Sequence, residues 1–63
     1  SSWVDEKLNQ GSTDILSTAI PEFEKICLDR ALNFTHGHKQ EAARKLGWGR
    51  NTLTRKLKEL QDS

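Results

Sequence analysis

Methionine and tyrosine are absent from this 63-residue chain, cysteine and proline occur once each, and no long apolar run is present. Each scarcity removes a class of explanation. A lone Cys27 forms no internal disulfide and suits a reducing compartment, so a cytoplasmic protein is expected. Crossing a bilayer takes about 20 consecutive apolar residues, so no membrane partner is expected. No signal peptide is visible. With no methionine even at its first position, the chain reads as one domain cut from a longer protein. A GxxxxGK phosphate loop is missing, so ATP hydrolysis is not expected, and neither an enzyme nor a cofactor is anticipated. A chain this short buries only about 60% of its unfolded surface. Its core supplies about 3–5 kcal/mol, so a staple or a partner is expected.

Metal and nucleophile chemistry is the next class to weigh. Cys27, His36 and His38 are the candidates. His-Gly-His supplies two ligands, Cys27 falls on an apolar helical stripe, and no second thiol or carboxylate cluster adjoins them, so no metal site is expected. A Cys–His nucleophile can be drawn, but a buried thiol and a loop histidine are the commoner arrangement.

What is present is charge of two signs, kept apart. The formal net charge is +1. Residues 1–35 nevertheless hold six acidic and three basic residues, and residues 36–60 hold seven basic and two acidic ones. Such asymmetry suggests a polyanion partner at one end, against the plainer reading of a solvated basic helix face.

The pattern is helical throughout, with no strand alternation. Ser1 or Ser2 can cap a short helix through Gln10, with Val4 and Leu8 on one side and Gly11 as its stop. Ser12 or Thr13 then caps a longer helix to about Thr35, kinked or restarted at Pro21. Ile15, Leu16, Ala19, Ile20, Phe23, Ile26 and Cys27 form one broad apolar stripe on that helix, and Leu28, Ala31 and Leu32 carry it round to a second face. A helix apolar on two sides needs cover on two sides. The basic half can take one, and a second copy of the chain across a two-fold axis is the economical cover for the other. The interface would comprise Trp3, Leu8, Ile15, Leu16, Ala19, Ile20, Phe23, Ile26 and Cys27. The alternative is a monomer in which Trp3, Val4 and Leu8 close the core.

The stretch HGHKQEAARKLGWGRNTLTRKLKEL, residues 36–60, reads as two helices around a tight break. His38 stands at a cap position with Glu41 three residues on, a weak capping box. Lys39–Leu46 makes about two turns, with Ala42 and Ala43 small enough for another helix to cross closely. Gly47 supplies the positive φ of a turn, Trp48 plugs the turn into the core, and Gly49 caps a second helix, Arg50–Gln61. Two helices joined by a short glycine-containing turn make a helix-turn-helix. Taking Leu53 as origin at about 100° per residue, Leu57 falls at about 40° and Leu60 at about −20°, a narrow seam facing the core. Thr54, Lys58, Asn51 and Arg55 fall between about 100° and 200°, away from that seam, while Arg50 and Lys56 flank it. Arginine can grip guanine with two hydrogen bonds, asparagine can do the same to adenine, and threonine offers a hydroxyl and a methyl.

These residues resemble a known family. GHKQEAARKLGWGRNTLTRKLKEL is similar to the C-terminal helix-turn-helix of NtrC-type, sigma-54-dependent enhancer-binding activators, and more broadly to the Fis-type helix-turn-helix. The upstream LSTAIPEFEK segment matches more loosely, and Lys45 departs from the leucine expected there. The resemblance implies an all-α, Fis-like fold of four helices per chain, with dimerisation helices over 1–35 and the helix-turn-helix over 36–63. It implies the DNA-binding domain of a two-component, nitrogen-regulatory transcription activator that reads palindromic enhancers as a homodimer. Receiver and ATPase domains would lie upstream in the same protein. Combining the family pattern with the face chemistry, Arg50, Asn51, Thr54 and Arg55 would touch bases, and His38, Lys39, Gln40, Thr52, Lys56 and Lys58 would touch phosphates. The rivals are a Fis-like architectural DNA-binding protein and a helical module that only oligomerises.

Overall fold

The computed structural model describes residues 2–62, with the side chain of residue 62 left aside. Four helices follow one another: α1 (Ser2–Asn9), α2 (Ile15–Phe34), α3 (Lys39–Leu46) and α4 (Arg50–Asp62). No strand occurs among the described residues, so the all-α expectation holds.

Helix ends follow from local chemistry, though not always from the residues expected. Ser1 lies outside the described residues, and Ser2 is already helical. Gly11, at φ 79°, ends α1: its N–H donates to the Leu8 carbonyl, and the Ser12 N–H reaches back to Lys7. Neither Ser12 nor Thr13 caps α2. Asp14 stands at that position in a left-handed conformation with no side-chain cap, and Ser17 Oγ donates to the Asp14 carbonyl at 2.7 Å. α2 runs through Pro21 as a single element, so no restart occurs there. Proline has no N–H to give the Ser17 carbonyl, but both residues are exposed, on the side where water reaches.

The α2–α3 joint repeats the α1 stop with an unexpected residue. His36, not a glycine, takes the first left-handed position, at φ 57°, and Gly37 follows at φ 86°. The Gly37 N–H bonds to Leu32 and the His36 N–H to Asn33. Buried Thr35 stitches the joint, its Oγ1 lying 2.9 Å from the Ala31 carbonyl and 3.2 Å from that of His38. His38 does precede α3, but its side chain makes no cap bond. Glu41 does not reach back to it either: the carboxylate turns to Arg44 instead, so the expected capping box does not form. Gly47, at φ 81°, ends α3 as expected, and the Leu53 N–H donates to the Gly49 carbonyl at the start of α4.

Three helices share one small core. Leu28 from α2, Ala42 and Ala43 from α3 and Leu53 from α4 are buried, with Ala31, Leu32, Leu46, Trp48, Leu57 and Leu60 packed around them. The two alanines let α3 lie close against its neighbours, which a larger side chain would prevent. Trp48 plugs the turn, as its size suggested. The N-terminal part of α2 projects beyond this unit, and the molecule measures 40 × 19 × 18 Å. α1 has no buried residue. Trp3, Val4 and Leu8 therefore do not close a monomer core. Trp3 and Val4 line an open groove against α2 with Ala19, Phe23 and Ile26, and Leu8 is exposed outside it.

A candidate nucleic-acid interface

Roll of α4 about its own axis decides what this site offers. The seam of Leu53, Leu57 and Leu60 faces the core, and Arg50, Asn51, Thr54, Arg55 and Lys58 are all exposed, as the helical spacing requires. Thr52 is half-buried, on the flank. The Gly47–Gly49 turn brings the start of α3 beside the start of α4. His38, Lys39, Gln40 and Arg50 consequently line one open hollow. A second hollow unites Lys39 with Thr54 and Lys58. His38, Lys39, Gln40 and Lys58, expected at phosphates, thus share these two hollows with Arg50 and Thr54, expected at bases, whereas Asn51, Thr52, Arg55 and Lys56 line neither.

Several of these side chains already have partners. Thr54 Oγ1 donates to the Arg50 carbonyl at 3.1 Å, so its hydroxyl oxygen remains an acceptor. Arg55 Nη1 donates to Glu59 Oε2 at 3.1 Å, one turn along, and both groups are more than half exposed. A surface pair of this kind contributes about 0–1 kcal/mol, so the guanidinium exchanges partners readily. Glu41 and Arg44 form another exposed pair on α3. Hydrogen bonding from Arg44 holds the Glu41 carboxyl below its ordinary pKa, and the same bond raises that of Arg44.

Lys56 differs from the rest. Its Nζ lies 2.9 Å from Glu24 Oε1 on α2, and the two side chains are only 21% and 23% exposed. Of the residues expected at phosphates, it alone is tied to another helix, turned from the open surface toward α2. Spacing could not have found Glu24, because 32 residues separate the partners. Thr35 was missed for a different reason: a threonine near a helix end gives no sign of which carbonyls it will bridge.

The proposed partner face is equally concrete. Leu16, Ile20, Phe23 and Ile26 are exposed, Phe23 to 68%, while Ile15, Ala19 and Cys27 are half-buried. Among the described residues no group of three His, Cys, Asp or Glu side chains could hold a metal, and no helix is long and apolar enough to cross a membrane.

Comparison with known proteins places this arrangement. The chain is 64% identical over 58 residues to a protein named DNA-binding transcriptional regulator NtrC from Proteus hauseri, and equally so to those of Klebsiella pneumoniae and Escherichia coli K12. The match covers 92% of this chain but 12% of each relative. No solved structure matches significantly. Residues 19–60, covering most of α2, all of α3 and most of α4, match the family model of bacterial regulatory proteins of the Fis family, and the chain belongs to that family.

Proposed function

We propose that this chain is the DNA-binding and dimerisation domain of a larger NtrC-type transcription activator. It reads a palindromic enhancer as a homodimer, with one α4 in each of two major grooves. Residues 1–35 hold the pair together, and the helix-turn-helix that follows contacts DNA. One observation carries the reading: α4 hides its leucines and exposes Arg50, Asn51, Thr54 and Arg55, with Arg50 and Thr54 sharing hollows with the start of α3. Arg50, Asn51 and Arg55 supply base choice, each good two-bond contact being worth about 1–3 kcal/mol. His38, Lys39, Gln40, Thr52 and Lys58 supply phosphate contacts. The full regulator would be cytoplasmic, with upstream receiver and ATPase domains acting on sigma-54 polymerase, as in a two-component nitrogen response.

Pairing is supported by the uncovered stripe of α2. Burying a leucine, isoleucine or phenylalanine fully contributes about 1.5–3 kcal/mol, so two stripes meeting would stabilise a dimer strongly. Each copy would then raise the local concentration of the other on DNA, turning two weak half-site contacts into one useful affinity. Recognition helices in such a dimer engage half-sites about 34–36 Å apart, or multiples of that.

A sedimentation run with and without duplex, combined with a salt titration, tests the reading. A dimer whose affinity for duplex falls steeply with salt is expected, because phosphate contacts release counterions. A species that associates but never binds duplex would identify a purely oligomerising module instead. Duplex binding with no preference for paired half-sites would favour an architectural role.

A further inference from the structure

We infer that Glu24 and Lys56 are positioning residues that set the roll of the recognition helix, and that Lys56 acts through Glu24 rather than through a DNA phosphate. This deepens the DNA-binding reading and rests on it.

The leucine seam and the Lys56–Glu24 bond constrain α4 in different ways. Apolar contact is non-directional, and the seam of Leu53, Leu57 and Leu60 sets which side of α4 faces the core. A charge-assisted hydrogen bond is short and directional. The 2.9 Å bond from Lys56 to Glu24 is the only ion pair among the described residues that joins two helices, the other two lying within α3 and α4. Both of its side chains are mostly buried, where screening by salt is weaker than at the exposed pairs. Lys56 sits about 60° to one side of Leu53 and about 100° from Arg55, so a roll that releases it also swings the base-reading face.

Placement of Glu24 makes the bond consequential. It stands one turn before buried Leu28 and next to exposed Phe23, where α2 passes from the uncovered stripe into the three-helix core. A helix held by a partner at Phe23 is thus tied, one residue later, to the helix that meets DNA. The pair also removes one cation from the phosphate-facing set, because an ammonium neutralised by a carboxylate displaces no counterion from DNA.

The test uses the chain itself, the variants Glu24→Gln and Lys56→Met, and two duplexes. One duplex is selected by the wild-type chain from a randomised pool, and the other is a scrambled sequence. The discrimination ratio between them is read for each protein, together with the salt slope on the scrambled duplex. Loss of stability lowers both affinities through the same folded fraction and leaves the ratio unchanged. A misset roll lowers the ratio. We expect the ratio to fall about tenfold in both variants, the loss of one two-bond base contact. The salt slope is expected to stay unchanged in Lys56→Met and to steepen by about one in Glu24→Gln, which frees the ammonium for a phosphate. A slope that flattens by about one in Lys56→Met would make Lys56 an ordinary phosphate contact and overturn the inference, as would an unchanged ratio in both variants. Wild-type chain without salt-dependent duplex binding would overturn the DNA reading itself. Steep wild-type binding with insensitive variants would overturn only the role given to this pair.

Discussion

Residues 36–61 hide their leucines and expose most of their charges, Glu41 and Lys56 excepted, whereas the helix leading into them exposes Leu16, Ile20, Phe23 and Ile26 to water. The C-terminal half is basic and packs on Leu28 and its neighbours to form a complete, if small, core. The N-terminal half leans acidic, and its first helix buries nothing. The contrast teaches that three helices can satisfy one face of α2 while another stays open to water at Leu16, Ile20, Phe23 and Ile26 among the described residues. Under the proposed function, opposite charge on the two halves would also separate their tasks, because an acidic end is repelled by phosphates and a basic end is drawn to them.

The largest effect should come from breaking the half that is complete. Leu53 is fully buried, so Leu53→Ala should cost about 2–5 kcal/mol, which is comparable to the whole stability of a domain this size. Loss of helical circular dichroism at room temperature, or a sharply lowered melting temperature, checks it. Attacking the incomplete half should do something else. Phe23→Asp touches no part of the core, so α3 and α4 should keep their helical signal. Dimerisation should be lost in sedimentation, and affinity for a paired site should fall about 100-fold or more as effective concentration disappears. If Phe23→Asp unfolds the chain as Leu53→Ala does, the two halves are not energetically distinct.

Finer substitutions sharpen the contrast within the basic half. Arg55→Ala should reduce affinity for the selected duplex by about 1–3 kcal/mol and relax its preference, because only the salt-exchangeable bond to Glu59 competes for that guanidinium. Lys39→Ala should weaken all duplexes alike and flatten the salt slope by about one. The smallest effect belongs to the joint between the halves. His36 occupies a left-handed conformation that a side chain disfavours, so His36→Gly should raise stability by about 0.5–1 kcal/mol, read as a higher denaturation midpoint with unchanged duplex binding.

Much of this organisation was legible before any fold was known. Gly11 and Gly47 marked helix stops because a positive φ is cheap only for glycine, and both stand there. The leucine spacing of the last helix assigned its inner and outer faces, and Leu53 is indeed buried while Arg50, Asn51, Thr54 and Arg55 are exposed. Capping was less legible. Ser12, Thr13 and the His38–Glu41 box all had plausible partners nearby, and Asp14 and the Glu41–Arg44 pair prevailed. Such alternatives differ by amounts of about 1 kcal/mol that neighbouring packing readily overrides.

Periodicity and residue chemistry by themselves determined the four helices, the two-sided apolar character of the long one, and the polar face of the last, because these depend on angles repeated along one chain. Only the tertiary structure decided which side of α2 is covered, that Trp3, Val4 and Leu8 leave it open, and that Lys56 meets Glu24. Those outcomes require residues far apart in sequence to be brought within a few ångströms, and a one-dimensional pattern holds no record of that distance.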